Sequence, residues 1–177
     1  MDKNWLVLLQ QQNQLEKVME TNPVTARFGL SLSEQDAVRI LEERSRALRE
    51  QQRVEFNGGI VPRLIYEFCD SDYLDQNTYA DAIIRLQEIF YLYKNETEDL
   101  VTDDELLHLM KEQFEQICFG DLDYLEQTCL ANFAQAVRMG YRGYQDSEGH
   151  GEASHFDEVT RWDYNLYFEA LKDLCWG

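Results

Sequence analysis

The chain has almost no proline and no long apolar run. Only two of its 177 residues are proline, Pro23 and Pro62, so long helices can run without a ring that blocks them. No run approaches the roughly 18 apolar residues of a membrane span. The five-residue apolar run near the N-terminus, "WLVLL", is too short for a signal peptide. We therefore expect a cytoplasmic protein that does not enter a membrane.

Catalytic and cofactor motifs are missing as well. The sequence has no nucleophile-elbow, Walker, dinucleotide-binding or H-E-x-x-H pattern, each of which places specific side chains for chemistry. Its four cysteines, Cys69, Cys118, Cys129 and Cys175, form no C-x-x-C pair, and we expect reduced, buried thiols in helical stretches. No cofactor is predicted, and a protein without enzymatic activity is favoured.

Basic residues are scarce relative to acidic ones. Lysine and arginine total 16 against 34 aspartates and glutamates, which gives a net charge of −18. Nucleic acid and anionic membrane surfaces repel such a chain, because both bind proteins through cations. A protein partner with a basic surface fits this charge. The oligomeric state stays open.

Apolar residues, at 44% of the chain, recur mostly at helical spacing. In the first segment Trp5, Leu8, Leu9 and Leu15 fall on one face, and Asn22-Pro23 ends the helix. The periodicity predicts an all-α fold, with residues 1–177 forming one compact bundle of six or seven helices. The alternation of residues 28–32 and 54–56 adds the option of a small two-stranded β element.

Helix starts are marked by capping residues. Ser33 with Asp36, and Thr102 with Glu105, have the three-residue spacing of a capping box. Pro62 suits the first turn of a short buried helix from Ile60 to Cys69. The other predicted helices run from about Asn77 to Glu96, from Thr102 to Gly120 and from Asp121 to Gly140, with a last one after Phe156.

The second predicted helix carries most of the basic residues. Its apolar stripe comprises Ala37, Ile40, Leu41 and Leu48. Four arginines share its polar side with glutamates, and the pair Glu42→Arg46 has the favourable i,i+4 spacing. The four arginines are Arg39, Arg44, Arg46 and Arg49.

A set of short phrases resembles a known family. These are "FGLSLSE", "VEFNGGIVPRLIYEFCDS", "LQEIFYLYKNE", "TDDELL" with "MKEQFE", and "CFGDLDYLEQTCL". Together they are similar to a family of small acidic bacterial proteins of unknown function, over roughly Phe28 to Gly140. The resemblance implies a bacterial, cytoplasmic setting. It implies no activity, ligand or site residue.

Two E-x-x-H patterns raise the possibility of a metal site. Glu105 precedes His108, and Glu152 precedes His155, at the i,i+3 spacing that brings a carboxylate and an imidazole together on a helix. His150 is a further ligand type in the irregular acidic loop at about 141–154. A solvated loop is the favoured interpretation, because Glu105 has a capping role and His108 falls on the polar side of its helix.

Five aromatic residues near the C-terminus are candidates for partner binding: Tyr141, Tyr144, Trp162, Tyr164 and Trp176. Exposed aromatic patches mark protein contacts. The leading hypothesis is a non-enzymatic protein-interaction module. The alternative is a metal-dependent or small-ligand-binding enzyme that uses the histidines and carboxylates.

Overall fold

The structure is a computed structural model that describes residues 3–55 and 59–140. These residues form helices joined by turns and short extended segments, which confirms the all-α class. They belong to two compact units, Met1–Leu92 and Tyr93–Gly177. The prediction of one domain over residues 1–177 stays a prediction.

The described part of the first unit contains five helical segments and most of a sixth. Its first helix, α1, packs against the third and the fourth. The segments are α1 Lys3–Met19, α2 Asn22–Thr25, a 3-10 turn Ala26–Phe28, α3 Glu34–Glu50, α4 Val61–Phe68 and the larger part of α5 Tyr79–Glu96. The positions of α1, α3, α4 and α5 agree with helices predicted from the sequence, whereas α2 and the 3-10 turn were not predicted.

The capping box at the start of α3 is confirmed. The Ser33 hydroxyl accepts a hydrogen bond of 3.0 Å from the Asp36 amide, and the Ser33 amide donates to the Asp36 carboxylate at 3.2 Å. Two of the unpaired amides of the first turn region are thereby satisfied, which fixes where the helix begins.

The predicted placement of Arg44 was wrong. Arg44 is buried beside Ala37, Ile40 and Ala47 on the inward face of α3, whereas the sequence placed it on the polar side. A distant acceptor explains this position, because the Arg44 Nε donates to the Glu55 carboxylate at 2.8 Å. A buried guanidinium needs such a partner.

The partner predicted for Arg46 also differs. Arg46 forms its ion pair with Glu43, one turn earlier on the same helix, and lies 3.7 Å from the Glu88 carboxylate. Both spacings, three and four residues, place side chains on one helical face. The choice between Glu42 and Glu43 therefore depends on neighbouring elements such as α5.

The β element is absent from the described residues, and that prediction was wrong. Phe28 ends the 3-10 turn, and residues 30–33 are extended without a partner strand. Val54 and Glu55 are irregular, while Phe56 lies outside the described residues. Leu30 and Leu32 are nonetheless buried with Ser31 exposed between them, so the alternation indicated burial correctly.

Side-chain amides replace the missing strand. The Gln76 amide accepts from the Ser31 N–H at 2.7 Å and donates to the Ser31 carbonyl at 3.0 Å. The Asn22 amide does the same for Leu32, at 2.8 and 2.9 Å. These two-bond pairs satisfy the extended backbone as a neighbouring strand would.

Helix α5 is buried on several sides. One face of the helix is fully apolar or aromatic, with Tyr79, Ile83, Leu86, Phe90 and Tyr93 all buried. Gln87 and Lys94 are buried too, which the sequence did not predict. The Gln87 Nε2 donates to the Ile40 carbonyl at 2.9 Å, so this buried amide ties α5 to α3 within the first unit.

In the second unit, the described residues 93–140 form the end of α5 and three helices. They are α6 Asp103–Gln116, α7 Leu122–Tyr124 and α8 Leu130–Arg138. A π-helical turn, Leu125–Cys129, joins α7 to α8. The predicted capping box is confirmed at α6, where Glu105 and Thr102 bond reciprocally at 2.9 and 3.1 Å.

The end of α6 differs from the predicted stop at Gly120. The helix ends at Gln116, and Phe119 and Gly120 both adopt left-handed conformations with φ of 48° and 87°. The Gly120 amide then donates to the Phe114 carbonyl at 2.9 Å. The glycine therefore completes a tight turn after the helix, as its freedom at positive φ allows.

Among the described helices, none has both the length and the apolar character that a membrane span requires.

Candidate functional site

The first turns of α1 carry an exposed apolar surface. Trp5, Leu8 and Leu9 expose 62%, 61% and 45% of their surface. Their spacing of three and four residues puts them on one side of the helix. Near the other end of α1, Val18 is buried. We call Trp5, Leu8 and Leu9 the α1 stripe.

The α1 stripe lies in an uncharged part of an otherwise highly charged chain. From Asn4 to Leu15 no residue is acidic or basic, although 28% of all residues are charged. Large side chains exposed in a group mark interaction sites more often than single exposed residues do. This part of α1 therefore has no charged side chain that could form an ion pair.

A buried ionic cluster lies within the first unit. The Glu55 carboxylate oxygen that accepts from Arg44 also accepts a 2.5 Å hydrogen bond from the Tyr91 hydroxyl. Burial, followed by the nearby Glu55 charge, raises the pKa of Tyr91. The phenol therefore stays protonated and acts as a donor, as a shared carboxylate requires.

Gly59 closes this cluster. Its φ is +74°, and a Cβ there would collide with the Glu55 carboxylate and lie 2.8 Å from Arg44 Nη2. Backbone thus approaches the charges closely, which only glycine allows. The close contact of the Gly59 backbone with these charges fits a structural role for the cluster.

A second buried cation lies in the second unit. The Lys94 ammonium donates to the Val101 carbonyl at 2.7 Å and pairs with Asp103 at 2.9 Å. Asp99, with a left-handed φ of 57°, lies 3.7 Å from the same nitrogen. Lys94 therefore holds the connection between α5 and α6. Nothing in the local sequence distinguishes it from an exposed lysine.

The π-helical turn contains further unusual contacts. The Tyr93 hydroxyl donates to the Glu126 carbonyl at 2.5 Å, and burial raises the pKa of Tyr93 to about 12. The sulfur atoms of Cys118 and Cys129 lie 3.5 Å apart. Both thiols are reduced and buried, as is the thiol of Cys69, which confirms the predicted state of these three cysteines. Cys175 lies outside the described residues.

The metal candidates are placed only in part. Glu105 is committed to its capping box, and His108 is exposed on α6. His150, Glu152 and His155 lie outside the described residues. Within residues 3–55 and 59–140 no group of three histidine, cysteine or acidic side chains has the arrangement of a metal site. A metal site at the five residues stays a prediction.

The aromatic partner-binding candidates Tyr141, Tyr144, Trp162, Tyr164 and Trp176 all lie outside the described residues. Sequence reasoning did identify the spacing of Trp5, Leu8 and Leu9, but it gave no sign that these residues would be exposed. An apolar stripe usually faces a core.

Comparison with protein-family models gives a match over residues 17–143, to a family of unknown function (DUF6323). The match covers well over half of the chain and includes the whole range of the phrases that carried the resemblance. No curated protein matches the chain. No solved structure matches it.

Proposed function

Because the chain belongs to the DUF6323 family, whose function is unknown, we propose from its surface that it is a protein-binding module without enzymatic activity. The α1 stripe is the binding element in this proposal, and it inserts into an apolar groove of a partner protein. The single observation that supports this role is the exposure of Trp5, Leu8 and Leu9 on one side of a helix.

Binding of a helix in a groove depends on large apolar residues spaced three and four apart. Full burial of an exposed leucine side chain is worth about 1.5–3 kcal/mol, and Trp5, Leu8 and Leu9, which expose 45–62% of their surface, have part of this still to gain in a complex. The stripe precedes the matched residues 17–143. The proposal therefore concerns this chain, and it does not extend to every member of the family.

The partner's surface around the groove is basic in this proposal. The net charge of −18 attracts a cationic partner over a distance of about one Debye length, roughly 10 Å at 0.1 M salt. Attraction of this kind changes the association rate more than the dissociation rate. Raising the salt concentration should therefore slow association while leaving dissociation nearly unchanged.

A position-specific photo-crosslinker tests the stripe in the full-length protein. We expect a crosslinker at position 8 to capture one partner protein in cells, and a crosslinker at position 10 to capture none. Gln10 is exposed and lies on the opposite side of the same helix. Equal capture from both positions, or none from position 8, contradicts the proposal.

The captured partner then allows a measurement of affinity. Leu8→Glu should weaken binding at least ten-fold, that is by about 1.4 kcal/mol or more, because a carboxylate resists burial in an apolar groove. Gln10→Glu adds the same charge on the other side and should change affinity by less than two-fold. Equal losses in both variants would show that charge alone is responsible.

Sedimentation measurements separate a partner protein from a second copy of the chain. We expect no self-association that depends on Leu8. If the wild-type protein dimerises and Leu8→Glu is monomeric, the stripe is an interface between copies and the proposed partner is excluded.

A further inference from the structure

Two of the buried thiols in the second unit are in direct contact. The Cys118 and Cys129 sulfur atoms are 3.5 Å apart, and eleven positions separate the residues in the sequence. Cys118 follows the end of α6, and Cys129 ends the π-helical turn. Their distance was not predictable from the sequence, because their spacing matches no common redox or metal motif.

The surroundings of these thiols allow small movements. A disulfide needs a sulfur–sulfur distance of about 2.05 Å, so the sulfur atoms must approach by about 1.5 Å. Cys118 lies directly before Phe119 and Gly120, both at positive φ. A turn of this kind adjusts more easily than the interior of a helix.

We propose that Cys118 and Cys129 are a modification site, at which a low-molecular-weight disulfide such as oxidised glutathione converts the two thiols into a reversible intramolecular disulfide. The bond links the end of α6 to the π-helical turn. This modification site is separate from the proposed binding role of α1 and does not depend on that role.

The exchange has two steps. The Cys118 thiolate attacks one sulfur of the small disulfide, whose S–S bond breaks and releases one thiolate. The Cys129 sulfur, after losing its proton to solvent, attacks Cys118 in the mixed disulfide and releases the second small thiolate. The protein loses two electrons and two protons, and the small disulfide is reduced to two thiols.

Cys118 is the first nucleophile because it lies beside the turn that follows α6 and is slightly less buried, with 6% of its surface exposed against 2% for Cys129. Contact with Cys118, together with burial, raises the pKa of the Cys129 thiol. A protonated thiol is a poor nucleophile. The exchange is therefore slow, and it reports sustained oxidation more than brief pulses.

The wild-type protein itself provides the test. We expect incubation with oxidised glutathione to remove two of the four free thiols, with peptide mapping that shows Cys118 joined to Cys129. Dithiothreitol should restore all four thiols. The oxidised protein should melt about 5 °C higher, because the new loop restricts the unfolded chain.

Cys69→Ser is the matched control, because Cys69 is also buried but belongs to the first unit. This variant should form the same bond, whereas Cys118→Ser and Cys129→Ser should not. Four thiols that persist in the wild-type protein under oxidised glutathione would overturn the proposal. A stable glutathione adduct, or a bond between other cysteines, would overturn it too.

Discussion

The hydroxyl of Tyr79 is buried in the first unit without a hydrogen bond of normal geometry. Burial raises the pKa of Tyr79 to about 12, with the nearby Thr25 hydroxyl opposing the shift. In the unfolded chain a tyrosine ionises near pH 10. The fold therefore favours the neutral phenol of Tyr79. Because the pKa of this residue differs between the folded and the unfolded chain, the free energy of unfolding depends on pH.

Tyr79→Phe should make the protein less sensitive to alkali. A raised pKa in the fold stabilises the protein fully below pH 10, and the stabilisation is lost as the pH rises from about 10 to about 12. Phenylalanine does not titrate, so the variant should lose less stability across this window, with a difference of about 2 kcal/mol at its upper end. Urea unfolding at pH 8, 10, 11 and 12 measures it.

Near pH 7 the same variant should be about as stable as the wild-type protein, because no hydrogen bond of normal geometry is lost. Tyr73→Phe, at an exposed tyrosine, controls for the substitution itself. If the free energy of unfolding falls as steeply between pH 10 and 12 in Tyr79→Phe as in the wild-type protein, the Tyr79 phenol does not cause the loss of stability.

The extended segment at residues 30–33 depends on side chains from other elements. Asn22 in α2 and Gln76 before α5 each bond both backbone groups of one residue, Leu32 and Ser31. A primary amide can do this because it carries a donor and an acceptor side by side. Two side chains thus position the chain that leads into α3.

Asn22→Asp should destabilise the first unit by about 1–3 kcal/mol. Aspartate still accepts from the Leu32 amide, but it cannot donate to the Leu32 carbonyl, which is left facing a carboxylate. Chemical denaturation at pH 7 measures the change. Asn13→Asp on the exposed side of α1 makes the same substitution and should stay within about 0.5 kcal/mol of the wild type. Equal effects at both positions would contradict the role of this pair.

Over the whole molecule, acidic residues outnumber basic ones by 18. Charges of one sign repel each other more strongly in the compact state than in the expanded unfolded chain. Salt screens this repulsion. The excess negative charge therefore lowers the stability of the fold at low ionic strength.

Raising sodium chloride from 0.02 M to 0.5 M should increase the free energy of unfolding by about 1 kcal/mol, as measured in urea, which carries no charge. A variant with Glu16, Glu20 and Glu42 replaced by glutamine removes three exposed acids. Its response to salt should be smaller. An equal response, or a loss of stability with salt, would show that ion pairs matter more than repulsion.

For the α1 stripe, the sequence predicted the helical face but not its exposure. The spacing of Trp5, Leu8 and Leu9 was visible as one helical face, because periodicity is a local property. Their exposure was not, because a stripe has the same pattern whether or not another element covers it. The bacterial, cytoplasmic setting and the metal site stay predictions.

Local interactions explain which parts of the fold the sequence determined by itself. The capping boxes at Ser33 and Thr102, the proline in the first turn of α4 and the left-handed glycine at 140 all act within three or four residues. Their partners are therefore present in the same short stretch of sequence.

Only the tertiary structure decided where the buried polar groups go. Arg44 meets Glu55 eleven residues away, Tyr91 meets it from a distance of 36 residues, and the Cys118 and Cys129 sulfurs come into contact across a turn. Packing of whole helices brings these atoms together. Patterns of neighbouring residues do not predict these contacts, because the energy that stabilises them comes from the packing of many residues in each unit.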